Sequence, residues 1–265
     1  MARPDCIRLF KEEPIPILYE DRSILAIDKP AGWMLVPFSW QRTNRNLQAA
    51  IQSSIGAGHF WARSRGIRFL KYIHRLDAET TGILLFAKSQ GALDSFGSLF
   101  EARSMEKIYL AVTDVEPKQA AWTCHLPLGP DPGQHGLMRV DKLGKEAETE
   151  FRVVASAGGL HLIEARPSTG RQHQIRIHLA ESGCPIVADE LYGRLVDAAM
   201  GLRAVGLAYL DPFSRRPVAI RAPVAEFLKY FGFGADVYRL YFQSLPPRAE
   251  VSPLTKTGTG DHCRS

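Results

Sequence analysis

Apolar and polar positions alternate along this chain in short stretches, separated by clusters of Gly, Pro, Asn, Asp and Ser. Residues 14–28 read as two strands around a Glu-Asp-Arg-Ser turn. After the Lys29-Pro30-Ala31-Gly32 break, an apolar stretch resumes over 33–36. Residues 46–55 carry an Asn cap and Leu47, Ala50 and Ile51 at helical spacing. A strand is expected over 83–87. An amphipathic helix follows over 90–102, with Leu93, Phe96, Leu99 and Phe100 three and four residues apart.

In the strand expected over 105–113, Ile108, Leu110 and Val112 share one face, and Lys107, Tyr109 and Ala111 share the other. Tyr109 is therefore out of phase with the aliphatic side. Residues 127–145 are rich in Gly and Pro and read as a long loop or hairpin connection. Strands are expected over 147–155, 160–166, 202–210 and 218–222. A helix opens at Pro167 with Ser168 or Thr169 as cap, and a brief one spans 225–231. Most neighbouring strands are joined by turns too short for parallel crossovers. That favours an α+β fold, a mixed and mostly antiparallel sheet flanked by helices.

Composition narrows the class without fixing a function. The 265 residues are enough for one sizeable core, and 45% hydrophobic with 23% charged residues is ordinary for a soluble globular chain. No apolar run approaches the roughly 20 residues that cross a bilayer. The first 13 residues are charged and lack the apolar core of a signal peptide, so a cytoplasmic location is expected. Cys6, Cys124, Cys184 and Cys263 form no Cys-x-x-Cys pair. His173 and His178 are not spaced to place two ligands on one helical face, so neither a metal nor a disulfide framework is expected. The expected organisation is an extension over 1–13, a catalytic domain over 14–235, and a C-terminal segment over 236–265 that frays from about 245.

Charge is distributed unevenly. From Lys29 to Leu76 there are 48 residues without an Asp or Glu, and the first carboxylate after them is Asp77. It is followed by the polar turn Glu79-Thr80-Thr81-Gly82 and the expected strand. A carboxylate at a strand mouth behind a cationic approach is either a turn residue paired with Arg75 or a reactive group. Within the approach, residues 56–68 mix Arg63, Arg65 and Arg68 with His59, Phe60 and Trp61, a combination suited to phosphate contacts and base stacking. Read blandly, the same residues are a solvated loop with one anchoring Trp. Lys29, beside its Pro-x-Gly turn, is either an exposed turn residue or a substrate contact. Residues 165–180 are again free of acid and carry Arg166, Arg171 and Arg176. Arg171 falls in the first turn of the expected helix, where a cation is disfavoured unless an anion sits in front of it.

These residues resemble a known family. His74-Arg75-Leu76-Asp77 with Thr80-Thr81-Gly82-Ile83-Leu84-Leu85 is similar to the signature of pseudouridine synthases of the ribosomal-large-subunit (RluA-like) type. The similarity continues through Lys29-Pro30-Ala31-Gly32, Glu106-Lys107-Ile108-Tyr109-Leu110-Ala111, Thr169-Gly170-Arg171-Gln172-His173-Gln174-Ile175-Arg176 and Leu191-Tyr192-Gly193. The resemblance implies a fold with a central RNA-binding cleft and an isomerase that detaches uracil from its ribose and rejoins it through C5, without metal or organic cofactor. It implies Asp77 as the essential carboxylate, Arg171 as the cation that keeps it charged, and Tyr109 as the ring that packs on the base and exchanges the C5 proton. Leu202 falls near an apolar pocket position, beside Arg203 where the family shows a histidine. His74, Arg75, Arg176, Lys29, Arg63, Arg65 and Arg68 are the expected contacts to a flipped nucleotide and its backbone. The partner would be a structured ribosomal or transfer RNA, met by a monomer with no obligate protein partner. The alternatives are a catalytically silent RNA-binding or RNA-folding module on the same scaffold and an N-glycoside hydrolase that releases free base.

Overall fold

The structure is a computed structural model that describes residues 4–9, 12–35, 45–134, 136–194, 196–234 and 236–237. Its strands are β1 (Cys6–Ile7), β2 (Ile15–Glu20), β3 (Ile24–Lys29), β4 (Lys71–Tyr72), β5 (Thr81–Ala87), β6 (Glu106–Thr113), β7 (Ala121–Cys124), β8 (Leu128–Pro130), β9 (Met138–Val140), β10 (Thr149–Ala157), β11 (Leu160–Pro167), β12 (Leu202–Leu210) and β13 (Pro217–Arg221). The helices are α1 (Leu47–Gly56), α2 (Phe60–Arg63), α3 (Gln90–Glu101), α4 (Gln174–Glu181) and α5 (Ala225–Tyr230). Eleven strands form one sheet in the order β1-β2-β3-β5-β12-β6-β11-β10-β7, with β4 on β5 and β13 on β12. Every pairing in it is antiparallel except β5 with β12, so the expected mixed, mostly antiparallel α+β sheet is what forms. The small hairpin β8–β9 stands apart as a second sheet.

The parallel joint between β5 and β12 divides the sheet into two halves, and each half is covered on both faces. On the front, α1 and α2 pack over Leu25, Ile27, Leu84 and Phe86, while α4 packs over Ala111, Ile163, Ala165 and Leu202. On the back, α3 covers Ile83, Leu85 and Ala87, and α5 covers Ile108, Leu110 and Val205. Tyr109 touches both front clusters. The front layer is therefore open along the joint, and a cleft of about 1250 Å³ lies there.

Local chemistry explains most of the elements. Asn46 caps α1, its side chain accepting from the Ala49 N–H at 3.0 Å, and Ser89 caps α3 in the same way. The turn between β2 and β3 is closed by Asp21, which accepts from the N–H groups of Ser23 and Ile24.

Three segments depart from the sequence reading. The extension over 1–13 contributes β1, whose Ile7 is fully buried. The supposed basic-aromatic loop contains α2, with Trp61 in the core and its indole N–H bonded to Ser54. Helix α4 begins at Gln174, about four residues later than expected, because His173 takes a left-handed conformation with φ of 57° and breaks the helical path. Position 36 of the stretch expected over 33–36, and the C-terminal segment from 238 on, with the part expected to fray, lie outside the described residues.

Candidate active site

Asp77 sits on the loop between β4 and β5, and this loop is tied down from below. Lys29 ends β3 and is fully buried, its ammonium donating to the carbonyls of Pro30 at 2.8 Å and Ala78 at 2.7 Å. The Gly32 N–H adds a bond to the same Ala78 carbonyl. Burial pulls the Lys29 pKa down to about 8, although Glu79 and Asp77 favour its charge. Lys29 is thus neither an exposed turn residue nor free to meet RNA; its stem and head are both committed inside. At Gly82 the backbone has φ of 107°, and a Cβ there would lie 2.0 Å from the Ala204 carbonyl oxygen. Only glycine lets β5 approach β12 this closely beside the Asp77 loop.

The cation that meets Asp77 is Arg176. Its Nη1 donates to Asp77 Oδ2 at 3.0 Å, while Nε and Nη2 donate to the two oxygens of Asp189 at 2.7 and 2.5 Å. Burial opposes the charge of Arg176, but its bonds to the two carboxylates more than compensate and push its pKa above the ordinary value. Asp189 is wholly buried, and against that burial the Arg176 guanidinium and the N–H groups of Leu191 and Tyr192 hold its carboxyl below the usual range. The result is a line Asp189–Arg176–Asp77 in which one guanidinium uses three of its donors.

This corrects the expectation for both arginines. Arg171 lies three residues before α4, and its Nε donates to the Glu146 carbonyl at 2.8 Å. Arg176 lines the cleft with three of its five N–H donors already committed to Asp189 and Asp77. With α4 starting at Gln174, it is Arg176 that falls in the first turn, and the anion in front of it is Asp77.

Tyr109 and Leu202 line the same cleft, with Leu202 buried and paired in register with Ala111. Burial and the charge of Asp77 push the Tyr109 hydroxyl well above its ordinary pKa. Its environment therefore leaves even less phenolate at neutral pH than a free tyrosine has. His74 lines the cleft, but its Nε2 accepts from the Leu85 N–H and its ring stacks on Phe100 at 4.8 Å. Burial, with help from the charge of Lys107, lowers its pKa to about 4, which leaves the acceptor nitrogen free of a proton. His74 is braced against the scaffold and is not poised as a charged RNA contact.

His173 brings Nε2 to 3.8 Å from Asp77 Oδ1, and its Nδ1 lies 2.8 Å from the Tyr192 hydroxyl. That hydroxyl also bonds both the N–H and the carbonyl of Met138 on the β8–β9 hairpin. Burial lowers the His173 pKa against the pull of Asp77.

The other expected cations separate. Arg75 is exposed and lines the cleft. Arg63 and Arg68 are exposed but are not among the residues lining it. Arg65 is a structural anchor: its side chain is 4% exposed and its Nε meets Glu20 at 2.7 Å. Its remaining donors go to the carbonyls of Trp61 and Pro4.

Asp189, His173 and Lys107 were not singled out from sequence. Asp189 is 13 residues beyond Arg176, and nothing in local spacing joins them. Among the described residues no group of three His, Cys, Asp or Glu side chains could hold a metal ion. No described helix is long and apolar enough to cross a membrane. The cleft exceeds the roughly 300–1,000 Å³ of small-molecule pockets. It has room for an extruded nucleotide together with parts of its strand.

Comparison with known proteins gives one consistent result. The family model described as RNA pseudouridylate synthase matches residues 23–181. The chain is 33% identical over 222 residues to ribosomal large subunit pseudouridine synthase C of Vibrio vulnificus, covering 80% of this chain and 67% of that protein. It is 33% identical over 226 residues to the protein of the same name from Escherichia coli K12, with the same coverage. The chain therefore spans about two thirds of the length of these relatives. Among solved structures, human RNA pseudouridylate synthase domain containing 1 superposes with a TM-score of 0.65 at 21% identity, over 89% of this chain and 97% of that one. Human RNA pseudouridylate synthase domain containing 4 gives 0.64 at 22% identity, over 84% and 92%. Both share the fold.

Proposed function

This chain belongs to the RNA pseudouridylate synthase family, enzymes that isomerise uridine within RNA, and we propose that in it Asp77 acts on the ribose of the target uridine. The substrate in this reading is a structured ribosomal or transfer RNA, and the enzyme works as a cytoplasmic monomer.

The reaction breaks the bond from ribose C1′ to uracil N1 and makes a bond from C1′ to C5. The proton displaced from C5 is lost, and N1 ends with one. Atoms balance without an oxidant or a second substrate. What the chain must supply is a carboxylate at the anomeric region and a pocket that retains the detached base. Arg176 holds Oδ2 of Asp77, while Oδ1 accepts no hydrogen bond among the described residues and is the oxygen free to face the sugar. Because Asp189 fixes the guanidinium from behind, the carboxylate is oriented before substrate arrives, the preorganisation that electrostatic catalysis requires. Tyr109, kept as a neutral phenol, offers a flat ring for the base, and Leu202 offers an apolar wall. Proton removal from C5 then falls to a group other than the Tyr109 phenolate at neutral pH.

The observation that carries this reading is the bond from a third donor of Arg176 to Asp77, on the wall of a cleft large enough for a nucleotide. The test is pseudouridine mapping of total RNA from cells with and without the protein, repeated after adding purified protein to the deficient RNA. At least one site should vanish and return. An unchanged map, with RNA binding intact, would favour the silent RNA-binding module instead.

A further inference from the structure

The correction at Arg171 leaves a cationic group on the cleft wall that the chemistry at Asp77 does not use. Arg171 and Arg103 both line the cleft, and both reach Glu146: Arg171 Nε donates to its carbonyl at 2.8 Å, and Arg103 Nη2 lies 3.6 Å from its carboxylate. That carboxylate is 89% exposed, so it is a weak partner screened by water. Lys107 lines the same cleft from β6, on the face it shares with Tyr109. Its ammonium donates to the Thr169 carbonyl at 2.7 Å, and no carboxylate lies within 4 Å of it among the described residues. A largely covered ammonium with donors to spare and no counter-ion is costly unless an anion completes it. Arg103 makes the deficit worse, because its charge opposes that of Lys107.

We infer that Lys107, Arg103 and Arg171 form a seat for a backbone phosphodiester of the bound RNA, beside the pocket in which Asp77 meets the ribose. The inference rests on the RNA-modifying function above and names where the strand is gripped. A phosphodiester fits better than a base, because three cations offer only donors, and the acceptors they lack are what phosphate oxygens supply. The Glu146 carboxylate sits loosely beside Arg103 at 3.6 Å and is displaced from it by the incoming phosphate, while Arg171 keeps its bond to the Glu146 carbonyl and offers its Nη donors.

The seat has a pH signature. Burial first, and then Arg103, lower the Lys107 pKa to about 8. The charged and titratable groups that bear on it are Arg103, just past the end of α3, and His74, on the loop before β5, with Arg171 on the same cleft wall. Of these, His74 titrates near 4, well below the window used. A bound phosphate keeps Lys107 protonated, so binding takes up a proton once the pH passes about 8, and affinity falls as pH rises. Between pH 7.0 and 8.5 the protonated fraction of the free enzyme drops about fourfold, and affinity should drop by the same factor.

The experiment measures the affinity of a fluorescein-labelled ribosomal RNA stem-loop for the wild-type chain, Lys107→Arg and Lys107→Met. Measurements run at pH 7.0 and 8.5, across a salt series, with melting curves to confirm folding. The wild type should weaken about fourfold more than Lys107→Arg over that pH step, and Lys107→Met should lack the step. Lys107→Met should also reduce the magnitude of the log-affinity against log-salt slope by about 0.7–0.9, the loss of one phosphate contact. Glu146→Gln should tighten binding. An identical pH step in all three Lys107 forms, or an unchanged salt slope in Lys107→Met, overturns the seat. Pseudouridine formation on the same RNA is scored separately. Product from the wild type with no effect of Lys107 sinks the seat alone, whereas a pH and salt signature without product on any RNA sinks the proposed chemistry alone.

Discussion

Replacing Asp189 by Asn isolates the role of the buried end of the Asp189–Arg176–Asp77 line. Asp189 is 0% exposed and is not among the residues lining the cleft, so it cannot touch RNA. In Asp189→Asn the side chain keeps an oxygen for the N–H groups of Leu191 and Tyr192, so the turn at 190–192 is preserved. The new amide faces Arg176 Nε, where a carboxylate oxygen stood at 2.7 Å, and puts two donors in opposition. Arg176 loses one charge-assisted hydrogen bond, worth about 1.5–3 kcal/mol. If that loss falls on the placement of the guanidinium beside Asp77, it converts to roughly a tenfold to hundredfold decrease in rate, at 1.36 kcal/mol per tenfold. The assay is single-turnover conversion of a modified RNA with enzyme in excess, well below the melting transition, beside a binding titration. The rate should fall by that factor while affinity stays within about threefold, as a transition-state defect does. A rate within twofold of wild type, or a loss confined to affinity, would refute the reasoning.

Other outcomes follow from the same geometry. In the wild type, the buried ammonium of Lys29 destabilises the fold fully below pH 8. That cost is relieved as pH rises toward the unfolded value near 10.4, because the unfolded chain then binds more protons than the folded one. Denaturant stability should therefore contain a rise of roughly 2 kcal/mol between pH 8 and 10 that Lys29→Met lacks; equal pH profiles would contradict the burial argument. Arg65→Met should lower stability by about 1–2 kcal/mol, because Glu20 loses one covered ion pair but keeps Lys88 at 2.9 Å, and should leave the salt dependence of RNA binding unchanged. Weaker RNA binding at unchanged stability would restore Arg65 as an RNA contact.

Much of the sheet was legible because period-two alternation and turn residues are local signals. The two strands around Asp21, the Asn46 and Ser89 helices and strand β6 with its out-of-phase Tyr109 all form close to where the pattern put them. Strand β7 and the contribution of Cys6–Ile7 were missed, since edge strands this short carry almost no periodicity. The error at α4 was one of register. Gly170 to His173 continue a helix-like sequence, yet a left-handed His173 delays the helix, while Gln174 turns back to accept from the Arg171 N–H and the Thr169 hydroxyl. A reading that placed the first turn at Gln174 would have selected Arg176. Asp189 was invisible for a different reason: its pairing with Arg176 is made by folding the 183–193 link back over α4, and such tertiary pairings leave no trace in spacing. Lys29 shows the limit from the other side, since a lysine beside a Pro-x-Gly turn looks exposed until β3 is placed at the sheet interior beneath the Asp77 loop.

The central claim is that one carboxylate, held by Arg176 and open on its other oxygen, performs the isomerisation. Asp77→Asn replaces one carboxylate oxygen by an amide nitrogen and moves no heavy atom appreciably, so it separates chemistry from docking. Measured on an RNA that the wild-type enzyme modifies, this variant should bind within a few fold of wild type and form no pseudouridine. Continued product formation by Asp77→Asn would contradict the claim outright.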